Sequence, residues 1–221
     1  MHYHWDFSFF LAHTALILQG LANTLKLAAT TLGFGLLIGV VVGVGRTSRS
    51  LVWRMLATCY VELFRNIPAM VLVFWFYFAV PILTGIQNDR FLCAALALTV
   101  YAGAYLAEIY RSGIQSIERG QWEAARALGF GHLQQLRYVV LPQAVKRMIP
   151  AFTNEAIEIV KLTAIAATIA YAELLYDAKL LSDMEYRPVE AYTGIAIIFL
   201  GMLFLLGAAS RWIERRLSVS D

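Results

Sequence analysis

The chain has 221 residues, 60% hydrophobic and only 15% charged, with a formal net charge of +3. A soluble domain carries nearer a quarter charged residues, so this composition excludes one. The apolar residues form continuous runs of the ~20 residues or more that a membrane helix needs, which also excludes the alternating strands of a membrane barrel.

Met1 to His13 is aromatic and free of Lys and Arg. His2 and His4 alternate with Tyr3 and Trp5, which reads as an interfacial aromatic anchor; two histidines make a poor metal site. With no basic leading region and Asp6 interrupting the start, no cleavable signal peptide is expected. A first span is predicted over roughly residues 16–44. It is long for one crossing, so its start is expected along the interface. Lys26 sits within it beside Asn23, Thr24 and Thr30. Gly35, Gly39 and Gly43 recur every four residues, a stripe that admits a close helix neighbour, although glycine is also common in membrane helices generally.

Arg46, Arg49 and Arg54 surround the first connection. A second span, roughly 52–80, carries Glu62, Arg65, Asn66 and Pro68. Pro81, Gly85, Asn88 and Asp89 form a turn. A third span, roughly 91–110, ends with Glu108 and Arg111. A polar stretch, 111–147, follows. Within it Gln121 to Gln143 reads as helix, glycine corner at Gly129 and Gly131, and helix, closed by Leu141-Pro142. A fourth span, roughly 148–171, has Pro150 in its first turn. An acidic segment, 173–190, leads to a fifth span, roughly 191–209, ending in Arg211, Trp212, Arg215 and Arg216. Cys59 and Cys93 are expected as buried free thiols.

Lys and Arg gather in the first and third connections and the C-terminal tail. The positive-inside rule then places the N-terminus outside and the polar stretch and C-terminus in the cytoplasm. The chain therefore reads as one all-α integral membrane domain, 1–221, of about five transmembrane helices. No internal repeat points to the inverted halves of many secondary transporters.

Ionisable residues inside a span cost about 2.5–3.5 kcal/mol on insertion scales and usually face a bundle interior or a watery path. Asn154, Glu158 and Lys161 share one helix face, extended by Thr168. They either contact a zwitterionic solute or form an internal salt bridge. Glu62, Arg65 and Glu108 read as a structural or gating ion pair, because an unpaired guanidinium at depth is costly. The polar stretch has no nucleophile–base pair, no metal spacing and no phosphate-binding G-x-x-x-x-G-K-[ST]. No catalytic residue and no cofactor are expected in this chain.

Glu123-Ala124-Ala125, Gly129 and Leu141-Pro142 resemble the EAA loop of bacterial ATP-binding-cassette importer permeases. Glu62-Leu63-Phe64-Arg65-Asn66-Ile67-Pro68 resembles the second span of the polar amino acid subfamily. Ala104 to Arg111, then Gly113 to Ile117 and Gly120-Gln121, resembles its third span and exit. Asn154, Ile157, Lys161 and Thr163 resemble its fourth span, and Gly20 with Thr24-Leu25 its first. Family members often have Thr-Ser-Leu after the lysine; here Ala164-Ile165 follows Thr163.

The resemblance implies a type I importer permease fold with a cytoplasmic coupling helix. It implies a second permease subunit, identical or homologous, two cytoplasmic ATPase subunits that bind the ATP and Mg, and an external solute-binding protein. Uptake of a polar amino acid across the bacterial inner membrane follows, with substrate contacts at Asn154, Glu158, Lys161 and Thr163. The ATPase would be contacted by Glu123, Ala124, Ala125, Leu128 and Gly129, with Ala124, Ala125 and Leu128 as the surface offered. The competing reading is a secondary transporter or structural membrane subunit without an ATPase. No nucleic-acid partner is expected.

Overall fold

A computed structural model describes residues 3–48, 50–85 and 89–217. The side chains of 213, 214, 216 and 217 are not among those described, so His2, Arg49, Asn88 and the Arg216 side chain lie outside the account.

A short helix α1 (Ser8–Ala12) leads at His13 into α2 (Thr14–Thr47), whose 34 residues extend beyond both ends of the predicted first span. At about 1.5 Å per residue α2 is longer than a bilayer is thick, so it must tilt or emerge from it. The second predicted span is not a single rod. Helix α3 (Leu51–Asn66) stops where Ile67 takes the extended backbone that a following proline demands (φ −93°, ψ 129°). The chain restarts at α4 (Ala69–Phe74), passes a π-helical stretch, Trp75–Ala79, and ends in α5 (Val80–Thr84). The two halves meet at 101°.

Helix α6 (Arg90–Gln115) is the centre of the molecule. Of the three helices among the described residues that are long and apolar enough to cross a membrane alone, it is the most buried, at 61% of its apolar window. Asp89 caps it by accepting from the Leu92 amide (2.6 Å). Helix α2 lies along α6 through the glycine stripe. A Cβ at Gly39 would stand 2.7 Å from the Leu106 Cβ and 3.2 Å from the Ala107 amide nitrogen. Only a hydrogen permits that approach, so the stripe is a packing surface.

Helix α7 (Arg119–Ala127) follows. The second half of the polar stretch is not a short separate helix. It begins as α8 (His132–Gln134), continues through a π-helical stretch, Gln135–Val140, and runs into α9 (Leu141–Leu162). Leu141-Pro142 therefore lies inside a continuous helix and does not close the stretch. Pro150 is correspondingly mid-helix, not in a first turn. Both π stretches end just before a proline. A proline lacks the N–H for the carbonyl four residues back and its ring crowds that carbonyl. Those carbonyls belong to Tyr77 before Pro81 and Tyr138 before Pro142, and each lies in a widened turn.

After α9 the helix tightens into a 3₁₀ stretch, Thr163–Ile169, and ends at Ala170 in the left-handed conformation (φ 57°). The acidic segment is mostly helical, as α10 (Leu174–Glu185), capped by Glu173 through the Tyr176 amide (2.8 Å). It packs on the N-terminal part of α2. The Asn23 amide donates to the Ala172 carbonyl (2.6 Å), and the Leu174 amide to the Thr24 hydroxyl (3.2 Å). Gly20 leaves room for the Asp177 carboxylate. Helix α11 (Pro188–Leu217) completes the chain.

The N-terminus is more than an aromatic anchor. Phe9 is buried, and the Tyr3 hydroxyl donates to the buried Glu190 (2.5 Å), which Arg187 also engages (2.9 Å). The Ser8 hydroxyl and amide hold the Asp6 carboxyl below the usual carboxylate range. Cys93 is buried as expected, whereas Cys59 is exposed on α3; both are free.

Candidate functional site

Three groups of predicted residues can now be placed. The first is the ion pair. Glu108 on α6 accepts from Arg111 one turn on and from Arg46 at the end of α2, and Arg65 on α3 stands 4.0 Å away. Glu62 faces Arg46 at 3.9 Å. The structure brings Glu62, Arg65 and Glu108 together, with Glu108 as the shared acceptor. Arg65 also lies over the Tyr105 ring (5.1 Å). Sequence reasoning assigned Arg46 to the first connection and missed its role here. Its signal was its position one turn beyond Gly43, on the stripe that docks α2 against α6.

The second group is on α9. Glu158 and Lys161 form an ion pair with each other, and both side chains are about half exposed. Asn154 is exposed on the same helix. Thr163 is not on this open face. It is fully buried, and its hydroxyl donates to the Val160 carbonyl (2.7 Å), so it has no free donor for a solute. Thr168 lies in the 3₁₀ stretch, where the 3.6-residue period no longer applies, and bonds to the Ile165 carbonyl (2.6 Å).

Glu155 was missed by sequence reasoning. One of its carboxylate oxygens is buried without a hydrogen-bond partner. It lies near enough to Glu158 and Arg65 to interact electrostatically, and both acids act on Tyr101. An acid three residues before Glu158 inside an apolar segment was the available signal. Together Tyr101, Tyr105, Arg65, Asn154, Glu155, Glu158 and Lys161 make a polar strip on α3, α6 and α9.

The third group is the corner after α7. Gly129 has φ +81°, the left-handed position of a helix end. The Phe130 amide donates back to the Ala125 carbonyl (3.1 Å) and the Gly129 amide to the Arg126 carbonyl (3.0 Å). This is a Schellman ending, which favours glycine at that position. The corner is fastened further. The Gln135 side chain donates to the Phe130 carbonyl (2.6 Å), and Gln143 donates to Gln121 (3.3 Å). His132 stacks on Trp122 at 5.8 Å between ring centres. Glu123, Ala124 and Gly129 are exposed. Ala125 is not part of that surface; it is buried in this chain's own packing. The apolar surface offered is Leu128 (75% exposed) and Leu133 (76%) on either side of the glycine.

Fold and site together define a helical membrane transport subunit, with a polar strip at span depth and a rigid polar corner at one end. A family model described as "Binding-protein-dependent transport system inner membrane component" matches residues 35–219, and the chain belongs to that family. A probable glutamine ABC transporter permease of Bacillus subtilis is 35% identical over 206 residues, covering 93% of this chain and 95% of the relative. An arginine transport system permease of the same organism is 34% identical, covering 98% and 99%. The glutamine transport system permease of Escherichia coli K12 is 32% identical, covering 97% and 99%. The crystal structure of an amino acid ABC transporter with histidines contains a chain of the same fold, with TM-score 0.92 and 34% identity. It is covered over its whole length by 97% of this chain.

Proposed function

We propose that the chain is the permease subunit of an ATP-driven importer that moves a polar amino acid across the bacterial inner membrane. One observation carries this reading. Glu158, Lys161 and Arg65 are charged, lie on predicted spans, and remain one third to one half exposed in the isolated chain. Lipid cannot cover such a strip at low cost. A second permease subunit facing it, identical or homologous, encloses a watery path.

In this reading Asn154, Glu158 and Lys161 line the path, and Glu155 joins them in place of Thr163. Arg65 and Lys161 balance Glu155 and Glu158 in charge, so the strip offers both signs to a zwitterionic polar amino acid. The Glu62, Arg65 and Glu108 cluster, joined by Arg46 of α2, holds three helices in register near the inner end of the path. The α7 corner is where a separate cytoplasmic ATPase takes hold, with Glu123, Leu128 and Gly129 as its contacts. Closure of two such ATPases on ATP, with Mg, turns the corner and rocks the spans as rigid bodies. An external solute-binding protein delivers the substrate. The N-terminus then lies outside and the C-terminus in the cytoplasm.

Uptake by the transporter reconstituted in liposomes, with its ATPase and binding protein, tests this. Uptake should require internal ATP and be competed by polar amino acids. Uptake driven by an ion gradient without ATP would sink the proposal.

A further inference from the structure

A cavity of about 820 Å³ opens at the end of the bundle that carries α7. Its walls are apolar, with Val44 on α2, Ile114 on α6 and Val145 on α9. Arg54, Arg119 and His132 border it, and no Asp or Glu is among its described lining residues. Arg46 also lines it, but Glu108 already engages that guanidinium. Neither Arg54 nor Arg119 pairs with a carboxylate among the described residues. The volume is that of a ligand pocket.

We propose that this cleft binds an anionic phospholipid, with the headgroup phosphate on Arg54 and Arg119 and the acyl chain along Val44, Ile114 and Val145. The cleft presents two features at once. Its solvent-exposed guanidiniums attract an anion, which a planar donor fork binds well. The walls need apolar cover, which a free phosphate does not give. A zwitterionic lipid would bring its own cation towards the two arginines. The site lies where Lys and Arg gather at one end of the spans, the level at which basic clefts between membrane helices meet lipid headgroups. The proposal rests on the transport reading only for which leaflet supplies the lipid.

Native mass spectrometry of the assembled transporter, released from nanodiscs of mixed phosphatidylglycerol and phosphatidylcholine, reads the site directly. Wild type should retain phosphatidylglycerol in preference to phosphatidylcholine. Arg54→Ala with Arg119→Ala should lower that retention by roughly fivefold for each guanidinium lost. Arg54→Lys with Arg119→Lys should keep most of it, and Val145→Trp, which fills the cleft, should lower it. Unchanged retention in the double alanine variant overturns the proposal. So does displacement of the lipid by excess inorganic phosphate alone, which marks a free-anion site. A cross-link from Val145→Cys to a protein partner in place of lipid overturns it as well. If the variants do not assemble, thermal unfolding of wild type decides: added phosphatidylglycerol should raise Tm while phosphatidylcholine does not, and equal effects refute the site. ATP-dependent uptake is not the readout, so failure here and failure of the transport reading stay distinguishable.

Discussion

Glu108 gathers guanidiniums from three sources, Arg46, Arg65 and Arg111, while keeping about a quarter of its own side chain exposed. Removing its charge leaves those cations short of an acceptor near the end of the spans. Glu108→Gln should therefore destabilise the assembled transporter by about 1–3 kcal/mol, less than the full loss of a buried pair because water still reaches it. Thermal unfolding of the purified complex measures this; an unchanged midpoint would show that Arg46 and Arg65 find other partners. Glu155 calls for a different readout. Glu155→Gln keeps the shape and leaves Arg65 and Lys161 in excess over Glu158, so uptake of cationic amino acids should fall by about tenfold with little change in assembly. Uptake assays over a panel of amino acids check it, and equal loss for acidic, neutral and basic substrates would assign Glu155 a structural role. The pairing of Arg65 with Glu108 was legible because an intramembrane guanidinium needs a carboxylate. The burial of Thr163 was not, because its face depends on which side of α9 packs against the bundle, and one helix period cannot tell inside from path.

At the scale of the element, two devices determine geometry: the glycine stripe of α2 and the left-handed corner after α7. A Cβ at Gly39 would come within 2.7 Å of Leu106 and crowd the Ala107 backbone, with no flexible side-chain end to yield. Gly39→Ala should force α2 and α6 apart, cost about 1–3 kcal/mol as overpacked interiors do, and loosen the seat of Arg46 against Glu108. A melting midpoint equal to wild type would show that α2 slides without penalty. Gly129→Ala places a side chain at φ +81°, at a cost of about 1–2 kcal/mol concentrated in the corner. Transport should drop sharply while the external protein still binds solute. Helix content and the three long apolar helices α2, α6 and α11 were readable from hydropathy, and the corner from Gly129. The 101° turn at Ile67-Pro68 was readable only as a warning, since a proline in an apolar run can kink a helix or end it. The continuity from His132 to Ile169 was hidden, because Pro142 looks like a stop unless the turn before it widens.

For the whole molecule, the charged strip on α3 and α9 and the exposed Leu128 and Leu133 beside Gly129 are two surfaces that the chain does not cover itself. The strip sits on the spans and the corner at one end of them; in the proposed reading one faces a second permease and the other a soluble partner. The sequence announced both through residues that are out of place: charges within apolar runs, and a polar helical stretch between them. What they contact in this chain required the fold, since Ala125 turned inward and Arg46 turned toward Glu108. The central claim is that a separate ATPase drives transport by gripping the α7 corner. ATP-dependent uptake of a radiolabelled amino acid into proteoliposomes, comparing wild type with Glu123→Ala in the fully assembled complex, tests it most directly. The expected result is uptake in wild type and its loss in the variant, with all subunits still present and solute binding by the external protein intact. Uptake that persists undiminished in Glu123→Ala, or that proceeds without ATP, would contradict it.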